Sequence, residues 1–207
     1  MKMRYSKTPE LIMLCGPNGA GKSTLTSEVR QKNIHQLPLV DPDKIAKDRH
    51  VSPIEAGRIA TAFIRENIAK NLSFIRESTL TAKFDFQMIK AAKESGFKVI
   101  LIYVGLNSVD IAIDRVQQRY AKGGHSVPEE DIRRRYLRSL ENLPEAIRQV
   151  DRAVIFDNSR GKYKQVAVFE KGRLISHISP PEWFKETFKT FLTPKKKERT
   201  RSSSLEL

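Results

Sequence analysis

The stretch LIMLCGPNGAGKST, residues 11–24, constrains this chain more than any other. Leu11 to Cys15 is a short run that is apolar throughout, which fits a strand buried on both faces, and it breaks at glycines where a helical stretch from about Gly21 to Gln31 begins. Gly16, Pro17, Asn18, Gly19, Ala20, Gly21, Lys22 and Ser23, with Thr24 behind them, fill the spacing G-x-x-x-x-G-K-S. Between a strand and a helix, such glycines let successive backbone amides curve around phosphate oxygens, and the helix N-terminus adds partial positive charge. Lys22 then reaches the β- and γ-phosphates and the Ser23 hydroxyl ligates Mg²⁺. The loop reads as a nucleotide-triphosphate site, with ATP and Mg²⁺ as the expected cofactors.

Beyond the loop, strand and helix signals alternate. Leu37 to Val40 is a second apolar run stopped by DPD, and a helix is predicted from SPIEAG with Ile54, Ile59, Phe63, Ile64 and Ile68 on its apolar face. Ser73 to Glu77 reads as a short strand, Ala91, Ala92 and Gly96 as a helix and its stop, and KVILIYV as the strongest strand of the chain. A helix from about Ser108 to Ala121, the loop KGGHSVP and a helix opening at Ser126 with Glu129 completing a capping box come next. Ile132, Tyr136, Leu140, Leu143 and Ile147 mark the core face of that second helix. A strand at Ala153 to Phe156, a hairpin around Lys171-Gly172 and the short amphipathic helix of PEWFKETFKTFL close the pattern. Strands alternating with helices, several of them apolar on both faces, imply an α/β fold with a mostly parallel central sheet between helical layers.

At 207 residues the expectation is one domain, residues 1–193, followed by a basic disordered tail at 194–207. The 38 basic residues against 24 acidic ones give a formal charge of +14, which calls for an anionic partner: a nucleotide, a phosphorylated metabolite or nucleic acid. PKKKERTRSSSLEL contributes five of those basic residues and two of the acids, so most of the excess lies in the body of the chain. The opening MKMRYSKTPE has basic residues without the apolar segment of a secretory signal, and no window is apolar enough to span a bilayer, so a cytoplasmic protein without membrane partners is expected. The single cysteine, Cys15, reads as a small buried hydrophobe.

The phosphate loop alone leaves the fate of the γ-phosphate open. Transporter-type ATPases, which often carry the same loop, would need an LSGGQ-like segment, and GTPases would need N-K-x-D and D-x-x-G; the sequence has none of these. A kinase or a stand-alone ATPase remains. Asp41 and Asp43 follow the second short strand, at the carboxyl edge of the sheet where open α/β folds bind ligands, and a carboxylate there can orient an acceptor hydroxyl and take its proton. DPD is also a common turn and helix cap, which suggests that one aspartate caps and the other works. Glu77, followed by Ser78 and Thr79, places another carboxylate and hydroxyls on the same edge, suited to Mg²⁺ through water or to the acceptor. Arg115 and Arg119 lie one turn apart on one helix, and Arg133, Arg134, Arg135 and Arg138 come after the glycine-containing loop with its His125. Arginines closing over a γ-phosphate stabilise developing charge and exclude water, so residues of about 119–140 read as a helical lid.

With these motifs in place, from about Leu11 to Asn158, the chain resembles the zeta toxin family of P-loop kinases. GPNGAGKST looks like the phosphate loop, DPD like the D-x-D whose second acid is the catalytic base, EST like the E-x-T that meets substrate and magnesium, and DRVQQRYAKGGHSVP like the arginine-bearing lid. The resemblance implies a P-loop kinase-like three-layer fold with a helical lid, and here a C-terminal β-hairpin plus short helix within about 163–193. It implies Asp43 as base with Asp41 secondary, Glu77 and Thr79 on the acceptor sugar and the metal, and Arg115 on the phosphates. Its activity is ATP-dependent phosphorylation of a UDP-activated amino sugar, opposed by a small antitoxin protein. In place of the second lid arginine of longer members this chain has GGHSVP, which shifts that role to Arg119, Arg135 or His125, and Thr61 falls near where the family has a further acid. A kinase acting on another small metabolite or a nucleic-acid end is the first alternative. A nucleotide-dependent nucleic-acid-binding ATPase ranks last, because aromatic residues are sparse among the basic ones.

Overall fold

The computed structural model describes residues 8–31, 37–124 and 126–189. The tail expected at 194–207 and His125 lie outside the described residues. The first apolar run forms β1 (Glu10–Cys15), and the phosphate-loop sequence leads into α1 (Lys22–Gln31). β2 (Leu39–Val40), β3 (Phe74–Ser78), β4 (Lys98–Gly105) and β5 (Arg152–Asp157) pair in parallel with β1 and with one another. β6 (Lys164–Glu170) and β7 (Arg173–His177) are the predicted hairpin, turning at Lys171 and Gly172, both at positive φ, and β6 joins antiparallel to β5. The order β2-β3-β1-β4-β5-β6-β7 places β1 at the centre of the five parallel strands, with β3 and β4 on opposite sides of it. A crevice therefore opens at the carboxyl end of β1, at the topological switch point.

Alternation along β1 feeds two cores. Leu11, Met13 and Cys15 join Phe74, Leu101, Met88 and Ile89 on one face, while Leu14 joins Ala20, Ala112, Val116, Ile132 and Tyr136 on the other. The first face is covered by α3 (Pro53–Ala69), α4 (Lys83–Glu94) and α7 (Glu182–Thr187), the second by α5 (Val109–Ala121) and the start of α6 (Glu129–Gln149). Cys15 is fully buried, and that burial pushes its thiol pKa up, as its reading as a small hydrophobe requires.

One aspartate of DPD caps, as expected: Asp41 is the N-cap of a two-turn helix, α2 (Pro42–Arg49). Two sequence expectations are corrected. The buried face of α3 is Ala56, Ala60, Ile64 and Asn67, while Ile54 and Phe63 are exposed; small residues let the helix lie close to the sheet, and periodicity of large side chains cannot reveal that. The capping box at Ser126 does not form, because Pro128 takes the N-cap position of α6 with no side-chain cap bond, and the helix begins at Glu129. The acidic first turn Glu129, Glu130 and Asp131 complements the helix dipole instead.

α7 docks through Trp183, whose Nε1 donates to Asp157 Oδ1 at 3.0 Å and whose ring covers Gly105 so closely that a Cβ there would collide with it. Gly105→Ala should therefore overpack the joint between β4, β5 and α7 and lower stability by about 1–3 kcal/mol, read from the midpoint of urea unfolding. Unchanged stability would mean that the Trp183 contact is loose.

Candidate active site

The loop between β1 and α1 is shaped by contact with the backbone behind it. Gly16, Gly19 and Gly21 all have positive φ, and a Cβ on Gly16 would strike the Val104 carbonyl, while one on Gly19 would sit 2.6 Å from the Ala112 carbonyl oxygen. Lys22 curls back, its Nζ donating to the carbonyls of Gly16 at 2.8 Å and Pro17 at 3.0 Å. Desolvation lowers the pKa of this ammonium, and the fields of Glu77, then Cys15, Asp41 and Asp43, oppose the shift. Both aspartates and the glutamate thus act on the lysine at the centre of the loop.

Glu77 is buried on β3 and faces α1. Its Oε2 accepts from Ser23 Oγ at 2.9 Å and its Oε1 from Thr26 Oγ1 at 2.6 Å. Asp41 divides labour with Asp43: the Asp41 side chain accepts from the Asp43 amide at 3.0 Å, while the Asp43 carboxylate is exposed in the first turn of α2 and makes no side-chain hydrogen bond among the described residues. Burial, followed by Glu77 and Asp43, raises the pKa of Asp41. Thr79 and Thr81 share a hydrogen bond of 2.9 Å on either side of Leu80, which is buried at a φ of 59° and held by Ser78 Oγ and by Asn142 Nδ2 of α6, the latter bonded to its carbonyl at 2.8 Å. A left-handed leucine is strained, so these anchors fix the threonines.

The arginines divide. Arg115 reaches the loop, but its guanidinium donates to the carbonyls of Asn158 at 2.8 Å, Ser159 at 3.3 Å and Gly19 at 3.4 Å, which makes it a brace beneath the cup. Arg119 is exposed and runs along Gly124. Arg133 bonds Glu129, and Arg134 and Arg135 share Asp131. Arg134, Arg135 and Arg138 face Thr79 and Thr81 across a cleft of about 330 Å³.

The sequence reading missed the segment after β5. Asn158 Nδ2 donates to the Ala20 carbonyl at 2.8 Å and Tyr163 Oη to the Gly21 carbonyl at 2.6 Å, so the far side of the phosphate loop is held from a place more than 130 residues away in sequence. The available signal was position: DNS ends a strand at the same sheet edge as DPD and EST. Among the described residues no cluster of three or more histidines, cysteines and acids could hold a metal, and no helix is long and apolar enough to cross a membrane.

A sequence profile described as "Zeta toxin" matches residues 1–170. An uncharacterized protein of Haemophilus influenzae is 38% identical over 130 residues, which are 60% of this chain and 91% of that one. Among solved structures, one from the PezAT chromosomal toxin–antitoxin system of Streptococcus pneumoniae superposes with a TM-score of 0.60 at 17% identity, covering 80% of this chain and 72% of that one. The AvrRxo1-ORF1:-ORF2 complex with ATP gives 0.63 at 18% identity, covering 91% of this chain and 64% of that chain. At such identities the structures establish a shared fold.

Two measurements check the site. Asp41→Ala should remove the α2 cap and cost about 0.5–2 kcal/mol in urea unfolding, whereas Asp41→Asn keeps an acceptor oxygen and sheds charge repulsion. Because the folded-state pKa of Asp41 is raised, the stability it lends is present at low pH and lost as pH rises through that pKa; at neutral pH Asp41→Asn should therefore be at least as stable as the wild type. Asn158→Ala should loosen the loop and weaken ATP binding several-fold in calorimetry, and unaltered affinity would show that the brace is dispensable.

Proposed function

The chain belongs to the zeta toxin family of P-loop kinases, and from that membership and the geometry around Lys22 we propose that it transfers the γ-phosphate of ATP to a hydroxyl of a UDP-activated amino sugar such as UDP-N-acetylglucosamine. The observation that carries this reading is the convergence on one loop of Glu77, hydrogen-bonded to Ser23, with Asp41 and Asp43, whose charges act on Lys22. The backbone N–H groups of residues 18–21 and the Lys22 ammonium bind the phosphates, with Ser23 and Thr24 at the helix start. Ser23 Oγ and the Glu77 carboxylate, 2.9 Å apart, are hard oxygen donors of the kind that suit Mg²⁺. Bound there, Mg²⁺ would neutralise charge on the β- and γ-oxygens.

Asp43 is the base. With Asp41 engaged as the cap, the Asp43 carboxylate is free to accept the proton of the attacking hydroxyl. Thr79 and Glu77 orient the acceptor, Arg115 keeps the loop in shape, and Arg119 and Arg135, on the lid of about residues 119–140, close over the transferring phosphate. The nucleotide site is the natural target of a small antitoxin, the kind of system to which the pneumococcal structural neighbour belongs.

Mass spectrometry on a pool of UDP-sugars, nucleosides and oligonucleotides incubated with the protein and Mg-ATP should show one added phosphate on a UDP-sugar; a phosphorylated oligonucleotide alone would replace this reading with a nucleic-acid end kinase. Lys22→Ala should lose nucleotide binding. Asp43→Asn should retain ATP affinity and lose at least about 100-fold in transfer, the scale of general-base loss. A larger loss in Asp41→Asn would reverse the two roles.

A further inference from the structure

Between α3 and the start of α4 lies a second hollow, of about 610 Å³, bordered by Arg76 of β3 and by Pro42, the residue between Asp41 and Asp43. Ile54, Ala60 and Phe84 give it apolar walls, and Arg58 and Arg65, seven positions apart on one face of α3, give it charge. None of its lining residues is acidic, and neither Arg58 nor Arg65 enters an ion pair among the described residues. Strand alternation separates Arg76 from its neighbour: Glu77 turns to α1 and Ser23, Arg76 to the groove.

Arg76 Nε and Nη1 are shielded from solvent and have no hydrogen-bond partner among the described residues. Asp85, the acid whose field it shares, does not close on it: Asp85 Oδ2 accepts from Ser78 Oγ at 2.7 Å, and Oδ1 is itself unpartnered among the described residues. Arg76 is half-buried, idle donors on its shielded side are costly unless a ligand supplies the acceptors, and a guanidinium fork suits a phosphate or a carboxylate. The cleft at Thr79 is the other cationic hollow, but two of its three arginines are already committed to Asp131, and its lining has no apolar wall.

We propose that this groove seats the acceptor by an anionic group, a phosphate or a carboxylate, held on Arg76 with Arg58 and Arg65. The body of the acceptor lies on Ile54 and Phe84, and its hydroxyl is presented past Pro42 to Asp43. The assignment rests on the phosphotransfer reading and deepens it: the acceptor's anionic part is read by Arg76, Arg58 and Arg65, outside the phosphate loop.

The test fills the phosphate loop with a saturating non-hydrolysable ATP analogue and Mg²⁺, then titrates pyrophosphate, and separately citrate, into the wild type, Arg76→Met, Arg65→Ala and Arg138→Ala. One anion should bind wild type and Arg138→Ala within twofold of each other and at least tenfold more weakly to Arg76→Met and Arg65→Ala; which of the two binds identifies the anionic chemistry. Arg65 is exposed, so its variant reads the groove even if Arg76→Met does not fold. Equal binding of both anions to all four proteins, a matching loss in Arg138→Ala, or no binding of either anion to wild type overturns the assignment. Anion binding in this pattern with no sugar phosphorylated would sink the transfer reaction and leave the groove standing. Transfer to UDP-N-acetylglucosamine with an acceptor KM unchanged in Arg65→Ala would do the reverse.

Discussion

Everything at the active edge depends on how closely one stretch of backbone approaches another. The turn from Gly16 to Gly21 lies against the Val104 and Ala112 carbonyls with no room for a Cβ at its first two glycines, so the loop is moulded on β4 and α5. Asn158 and Tyr163 hold its far side through the carbonyls of Ala20 and Gly21, and Arg115 draws the Gly19 carbonyl toward the loop after β5. A cup of amides is useful only if it is already curved when an anion arrives, and these contacts supply that curvature in advance. Trp183 extends the support outward, since the Asp157 carboxylate that accepts its indole N–H also accepts from Ser159 Oγ at 2.6 Å.

The second organising feature is charge in a partly dry crevice. Lys22 is desolvated and would shed its proton more readily than a surface lysine, but Glu77 and the two aspartates oppose that. Burial, and after it the same crowding by Glu77 and Asp43, raises the pKa of Asp41, which is tolerable because Asp41 serves as a cap. Glu77 is spared isolation by two hydroxyls of α1, and those bonds tie β3 to the helix that begins at the loop. β3 thus carries a carboxylate to one side and, one residue earlier, a guanidinium to the other, so a single strand end serves both the nucleotide side of the cleft and the groove beyond Pro42.

Much of this was legible in the chain. The glycine loop, the strand before it and the helix after it are local, and apolar runs at β1, β4 and β5 announced a parallel sheet because strands buried on both faces have few polar positions. The hairpin at Lys171-Gly172 was readable from turn chemistry. Failures came where contact, not pattern, decided. The face of α3 is set by alanines that carry little hydrophobic signal, and Pro128 displaced the expected cap of α6. Asn158, Tyr163 and Asn142 act through backbone carbonyls far away in sequence, which no spacing rule encodes.

The sequence by itself determined that a triphosphate-binding loop comes after a buried strand and that acids at Asp41, Asp43 and Glu77 end the neighbouring strands, because local spacing and alternation alone govern those features. Only the tertiary structure decided which aspartate caps and which stays free, that Arg115 braces the loop from below, and that Arg76 borders a groove with two of its nitrogens unpartnered among the described residues. Those outcomes depend on which backbone carbonyl, helix end or cavity lies opposite a side chain, and that is settled when the strands take their order in the sheet.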